Sequence, residues 1–215
     1  MDEDENDYVS RGGRKLAAAL EAFGLDVTGL SCADFGANVG GFTDCLLRRG
    51  AARVAAVDTG YGALDWTLRN DPRVQVLERT NALHAEPPAE RVDLVTIDVA
   101  FTPQRRVVPA AARWVRPEGH IISLLKPHYE REKLPLAGPR RPGRRRGRKP
   151  PPLDRRTAGA ICLRVCRALA RERLAPVAAM VSPLTGKGGN VEFFLHIRPG
   201  AGPSGAVGAQ RFAFS

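Results

Sequence analysis

Carboxylates, an amine and a cluster of glycines recur where apolar segments of this chain stop. Together they could grip a nucleoside-like ligand and manage a proton. The run Asp34-Phe35-Gly36-Ala37-Asn38-Val39-Gly40-Gly41-Phe42-Thr43 follows one apolar segment, and Asp58 closes the next. Such a run predicts a strand that stops at a carboxylate, turns through glycines and opens a helix. Glycines let the backbone approach a ligand with no Cβ atoms in the way. The spacing is not G-x-G-x-x-G, because Asn38 stands where the second glycine would be. A carboxylate just ahead of Gly36 would repel a pyrophosphate, and it suits a cationic end such as the ammonium of a methionine moiety. Asp58 is placed to hold ribose hydroxyls, as acidic residues about 20 positions downstream do in nucleotide-binding βαβ units. The combination favours S-adenosylmethionine over NAD as cofactor, with Asp34, Gly36, Asn38, Gly40, Gly41, Phe42, Thr43 and Asp58 as candidate contacts. An ordinary tight strand-to-helix connection is the plainer reading of the glycine turn taken alone.

The elements that must position these residues alternate between strand and helix. Leu16, Ala19, Leu20 and Phe23 share one helical face, and Gly24 is a stop signal. Strands are predicted over 30–35, 53–57, 74–77, 94–98, 120–125, 175–181 and 190–197. Further helices are predicted over 42–49, 62–69, 104–115 and 157–172, the last with Ile161, Val165 and Leu169 on one face. Strands alternating with helices predict an α/β fold: a mostly parallel seven-stranded sheet, helices on both faces, the last strand antiparallel. In an open α/β sheet the ligand crevice lies outside the carboxyl ends of the strands. Asp34, Asp58, Asp98 and Lys126 each end a predicted strand, so all four converge on one rim. Neighbouring strands lie about 4.8 Å apart, which lets Asp98 and Lys126 face each other and couple electrostatically. Each residue alone could simply follow a strand.

Composition bounds the rest. A chain of 215 residues can bury one substantial core. It has no apolar run of transmembrane length, and its first residues are acidic where a signal peptide would be basic and then apolar, so a cytoplasmic protein is expected. The four cysteines (Cys32, Cys45, Cys162, Cys166) lack metal-ligand spacing, which predicts reduced thiols and no metal. Net charge is +10, and seven of the basic residues fall between Arg140 and Lys149. This block lies in a Pro/Arg loop over 138–152 that cannot be helical, flanked by Pro139, Pro142 and Pro150 to Pro152. It reads either as a clamp on nucleic-acid phosphates or as a disordered insertion reflecting codon bias. Residues 1–7 are mostly acidic and are expected to be disordered, and the Gly- and Ala-rich tail over 199–215 to be loose.

Seven segments, in order, carry a more specific signal. They are Tyr8-Val9-Ser10-Arg11-Gly12-Gly13-Arg14-Lys15-Leu16, the glycine turn through Asp44, Ala56-Val57-Asp58-Thr59-Gly60-Tyr61-Gly62, Glu78-Arg79-Thr80-Asn81, Thr96-Ile97-Asp98-Val99-Ala100-Phe101, Leu124-Leu125-Lys126-Pro127-His128-Tyr129-Glu130, and Gly189-Asn190-Val191-Glu192-Phe193. From Tyr8 to Ile197 the chain resembles the TlyA family, the haemolysin-A-type ribosomal RNA methyltransferases with an FtsJ-like catalytic domain. The resemblance implies a Rossmann-like class I methyltransferase domain over 8–198 that uses S-adenosylmethionine to methylate a ribose 2′-hydroxyl of RNA. It implies a Lys-Asp-Lys-Glu tetrad at Lys15, Asp98, Lys126 and Glu192. Lys126 would be the central base, with burial or a nearby ammonium such as Lys15 favouring its neutral form. Asp98 and Glu192 would orient the two lysines. Asp98 would also border the cofactor, and Asn81 would contact its adenine region.

The chain departs from the pattern in places. Asn38 and Val39 stand where the family has smaller polar residues, and Ala100 replaces a serine. TlyA-type proteins begin with an S4-like RNA-binding domain, whereas seven mostly acidic residues precede Tyr8 here. The expectation is that the basic loop, or a separate RNA-binding partner, supplies that affinity for ribosomal RNA. Nothing in the sequence is membrane-active in character, so the haemolysin label gains no support. A non-catalytic RNA- or ribosome-binding paralogue, and a methyltransferase of small molecules or proteins, are the competing classes.

Overall fold

The computed structural model describes residues 8–130, 151–186, 188–199 and the backbone of 212–213. The acidic start (1–7), nearly all of the basic loop and most of the tail therefore lie outside the described residues. Helix α1 (Arg11–Phe23) begins where Ser10, in extended conformation, accepts a hydrogen bond from Gly12 N, and it ends at Gly24 in the left-handed region. The chain then alternates through β1 (Ser31–Phe35), α2 (Gly41–Arg48), β2 (Arg53–Val57), α3 (Trp66–Arg69), β3 (Val74–Leu77), β4 (Val92–Ile97), α4 (Gln104–Trp114) and β5 (Val115–Leu125). A single turn, α5 (Pro127–Glu130), precedes α6 (Arg155–Arg171), β6 (Pro176–Val181), β7 (Phe193–Ile197) and β8 (Phe212–Ala213).

The strands form one sheet in the order β3-β2-β1-β4-β5-β7-β6-β8. Only β7 runs antiparallel to its neighbours β5 and β6. The α/β architecture expected from the sequence is therefore present, with an eighth strand of two residues added parallel to β6. Both faces are covered, because β1 and most of β2, β4 and β7 are buried throughout and cannot present a polar side. One core layer sets Leu16, Leu20, Phe42, Leu46 and Leu68 of α1, α2 and α3 against the sheet. The other sets Val107, Val108, Ala111 and Trp114 of α4 with Ile161, Cys162, Val165 and Leu169 of α6 against the opposite face.

Strand order reverses between β1 and β4, so the connections leaving these two strands diverge and open a crevice at their carboxyl ends. The registers fix what meets there. Phe35 pairs with Ile97, which sets Gly36 beside Asp98. Leu125 pairs with Phe193 in the antiparallel ladder, which sets Lys126 beside Glu192. Gly36 has φ 87°, and a Cβ there would lie 2.6 Å from the Asp98 carbonyl oxygen. Gly36→Ala is therefore expected to combine left-handed strain with a backbone clash, at a cost of about 2 kcal/mol or more. Thermal melting checks this, and an unchanged midpoint would contradict the assigned packing.

Several elements differ from the sequence expectation. Helix α3 starts at Trp66 instead of 62, because Gly62 adopts φ 70°, outside the helical region, and Asp65 caps the helix by accepting from Thr67 N. Strand β5 starts at Val115, five residues early, through a register shift opposite Val92 and Leu94. Strand β7 starts at Phe193, so Glu192 precedes it, and α5 was not anticipated. All four cysteines are free and buried, and burial pushes the Cys32 thiol up to about 12 and the Cys45 thiol to about 11. Among the described residues no cluster of three or more His, Cys, Asp or Glu could hold a metal, and no helix is long and apolar enough to cross a membrane.

Candidate active site

The crevice encloses about 710 Å³, within the usual range for a small-molecule site. Its floor carries two ion pairs. Lys126, one residue beyond β5, pairs with Asp98, one residue beyond β4. Lys15 Nζ, on the buried side of α1, donates to Glu192 Oε2 at 2.7 Å. Lys15 is 8% exposed and Glu192 3% exposed, so this second pair is held largely away from solvent. Gly186 makes room for it: a Cβ there would lie 2.1 Å from Glu192 Oε1. The loop carrying Gly186 is tied by its N–H to Asn190 O at 2.8 Å, which folds the chain back toward Glu192.

The opposite end of the crevice is shaped for hydroxyls. Asp58 Oδ2 accepts from Asn38 N at 2.9 Å and Asp58 Oδ1 from Gly60 N at 2.6 Å. These bonds fix the carboxylate plane and leave each oxygen a second lone pair with which to accept from a hydroxyl. Asn81 Oδ1 accepts from Leu83 N at 3.0 Å, which leaves its amide group to line the same end. Between the two ends lie the uncluttered backbone of Gly36 and Gly41 and the Phe42 ring.

Beside the Lys126–Asp98 pair stands an aromatic group that the sequence reading did not assign. His128 and Tyr129 have ring centroids 4.0 Å apart, and Tyr129 and Phe101 4.6 Å apart. Phe101 is 69% exposed with φ 61°, a conformation no sequence pattern announces. Burial, opposed by the Glu192 charge and assisted by that of Lys126, pushes His128 below its ordinary value. The single turn α5 that carries His128 and Tyr129 is anchored by Glu130, whose Oε1 accepts from Gln104 N at 2.7 Å. Gln104 Oε1 in turn accepts from Ser123 Oγ at 2.6 Å.

The sequence pattern of FtsJ-like methyltransferases matches residues 8–198. The chain is an FtsJ-like methyltransferase. It is 44% identical over 198 residues to the 16S/23S rRNA (cytidine-2′-O)-methyltransferase TlyA of Mycobacterium tuberculosis, a match spanning 90% of this chain and 69% of that protein. Hemolysin A of Brachyspira hyodysenteriae is 39% identical over 129 residues, spanning 59% of this chain and 54% of that one. A hemolysin-named protein from Lactococcus lactis superposes with a TM-score of 0.80 at 30% identity, covering 98% of this chain and 96% of the other. The fold is also shared, at TM-score 0.58 and 17% identity, with an N1-methyltransferase from Burkholderia thailandensis solved with S-adenosylhomocysteine. That match covers 88% of this chain and 78% of that one.

S-adenosylmethionine is the methyl donor of this FtsJ-like methyltransferase. The residues present fit it: a crevice of sufficient volume, a fixed carboxylate for ribose hydroxyls at Asp58, and glycine backbone with no side chains in between.

The structure brings Lys15, Asp98, Lys126, Glu192, Gly36, Asn38, Gly41, Phe42, Asp58 and Asn81 to the crevice wall. Three anticipated contacts are absent from it. Gly40 and Thr43 lie behind the turn, and Asp34 does not face a ligand ammonium. Asp34 is fully buried, with Oδ2 accepting from Thr43 Oγ1 at 2.8 Å and Oδ1 bonded to Thr96 Oγ1 at 3.0 Å. Its side chain thus points behind β1, to the first turn of α2 and to the residue facing it on β4. It ties the glycine turn to β4 and does not line the crevice. Burial, reinforced by the Asp98 charge and opposed by the two threonine hydrogen bonds, pushes the Asp34 carboxyl up to about 7.

A raised carboxyl value means that the folded state holds a proton which the unfolded chain releases near pH 4. The contribution is therefore fully present below about pH 4 and is lost as pH rises through about 7. Asp34→Asn keeps the shape and an acceptor oxygen and cannot ionise. The melting temperature of Asp34→Asn is expected to fall less than that of wild type between pH 5 and pH 8. Parallel profiles would show that Asp34 stays ionised in the fold.

Proposed function

We propose that this chain transfers the methyl group of S-adenosylmethionine to a ribose 2′-hydroxyl of ribosomal RNA, and that the domain over 8–198 suffices for the chemistry. The observation that carries this reading is the pairing of Lys126 with Asp98 and of Lys15 with Glu192 on one crevice floor. Two lysines, each aimed by its own carboxylate, suit a reaction whose difficulty lies in positioning a neutral hydroxyl and removing its proton. The family and the printed activity of the M. tuberculosis relative support the substrate class. Ribosomal subunits would be met in the cytoplasm.

When bound, S-adenosylmethionine supplies a sulfonium-activated methyl group. Lys126 Nζ, once it has given up one of its own protons to solvent, is placed to hold the 2′-hydroxyl and to receive its proton as the new O–C bond forms and the S–C bond breaks. Asp98 fixes the direction of that amine. Glu192 holds Lys15 at the same floor, where its charge stabilises negative charge building on the attacking oxygen. Asp58 orients the ribose of the donor. His128, with Tyr129 and Phe101, walls the mouth beside Lys126.

Incubation with tritiated-methyl S-adenosylmethionine tests the reading. Label is expected on unmodified ribosomal subunits or naked rRNA, and not on protein or small-molecule pools. Cofactor binding without label on RNA would favour a non-catalytic ribosome-binding role.

A further inference from the structure

Helices α4 and α6 pack side by side on one face of the sheet through Val107, Val108, Ala111, Ile161, Val165 and Leu169. Their 11 and 17 residues contain eight arginines (Arg105, Arg106, Arg113, Arg155, Arg156, Arg164, Arg167, Arg171) and no carboxylate. The other long helix, α1, mixes Arg11, Arg14 and Lys15 with Glu21, and α2 mixes Asp44 with Arg48. Seven of the eight arginines are exposed, Arg164 being half-buried. Among the described residues, no carboxylate pairs with Arg105, Arg106, Arg156, Arg167 or Arg171.

Placement makes this more than a solvated face. Both helices start at the carboxyl rim of the sheet: α4 follows Asp98 to Thr102 of the crevice wall, and α6 runs back to the amino end of β6. Arg105, Arg106, Arg155 and Arg156 therefore occupy first turns at the rim, beside the carboxylates that cap the two helices: Glu130, which accepts from Gln104 N, and Asp154, which accepts from Thr157 N. The helix dipole favours carboxylates there, and each cap supplies one to its own helix, which leaves the four guanidiniums to face outward at the rim. Four exposed cations gathered at the rim of the crevice suit a polyanionic partner.

We propose that the α4–α6 face is a second RNA-binding surface, along which the phosphate backbone of ribosomal RNA runs away from the crevice mouth. The choice of RNA rests on the reading given under Proposed function. The chemistry of the face selects a polyanion by itself: eight guanidiniums without an interleaved acid, continuous with the site that receives a nucleotide. Contacts of this kind set affinity and orientation and carry no sequence information. Each phosphate neutralised releases counterions and steepens the salt dependence by about 0.7 to 0.9 in the slope of log K against log salt.

Three paired variants test this in the full chain, each removing two positive charges. Arg105→Gln with Arg106→Gln changes α4, and Arg167→Gln with Arg171→Gln changes α6. Arg53→Gln with Arg116→Gln, on the amino-terminal edge of the sheet, is the control. Binding to naked rRNA is measured by filter retention across a salt series. Each helix pair is expected to flatten the slope by about 1.5, and the two combined to weaken binding about tenfold or more near 0.15 M salt. The control is expected to leave the slope unchanged, and all variants to melt close to wild type. Unchanged slopes for folded helix variants, or an equal change in the control, would overturn the proposal. Because the readout is binding, it stands apart from the methyl-transfer assay: wild-type binding without methylation would overturn the proposed reaction and leave this face to be decided on its slopes.

Discussion

Lys126→Ala is expected to lower methyl transfer at saturating rRNA and donor by about 10³-fold, within the range associated with a positioned proton-transfer group. The expectation follows from placement. Lys126 follows the last residue of β5, lies beside Glu192 through the β5–β7 register, and pairs with Asp98 across the crevice floor. Nothing else in the described floor offers an amine to a hydroxyl there except Lys15, which is already engaged by Glu192 at 2.7 Å. Single-turnover rates measure the effect, and rRNA binding by the same variant is expected to persist. A rate within tenfold of wild type would remove Lys126 from the centre of the reaction.

Glu192→Ala is expected to damage both stability and activity. Removing one member of a buried ion pair strands the other, and such changes typically cost 3–5 kcal/mol. The Lys15–Glu192 pair opens onto the crevice, so water can reach it, and about 3 kcal/mol is the appropriate figure. For a domain of this size that corresponds to a fall of roughly 6–12 °C in melting temperature. The double variant Lys15→Met with Glu192→Leu removes both charges and is expected to recover most of the stability while transferring no methyl. Calorimetry and the transfer assay together separate the two roles. A Glu192→Ala protein that melts with wild type would show that the pair carries no structural weight.

Much of the architecture was legible because glycine and apolar periodicity marked the element ends. Gly24 and the run from Gly36 to Gly41 fall where helix and strand give way, and the face of Ile161, Val165 and Leu169 packs as its spacing implies. The misplaced boundaries have local causes. Arg116-Pro117-Glu118-Gly119 reads as a turn, yet β5 passes through it by shifting its register against β4. Leu64 packs in the core from a loop, and a helix was expected there.

The site was legible at its strand ends and obscure elsewhere. Asp58, Asp98 and Lys126 stand at carboxyl ends, and the fold brings such ends together. Asp34 was expected at the crevice, but its carboxylate bonds to Thr43 and Thr96 inside the fold, because β1 is buried on both sides. With no polar face to alternate against, the sequence offers no sign that its carboxylate points behind the turn. Lys15 and Glu192 are 177 residues apart, and only a family resemblance could join them before the β5–β7 ladder was seen. The arginines of α4 and α6 were visible one by one, but their union on one face needed the packing of the two helices.

The most direct test of the central claim is the position of the transferred methyl. Ribosomal RNA labelled by the wild-type protein would be digested to nucleosides and the label assigned by mass. A 2′-O-methylated nucleoside is expected, absent when Lys126→Ala replaces the wild type. Label on a base nitrogen or carbon would contradict it, because the paired lysines would then have no hydroxyl to serve.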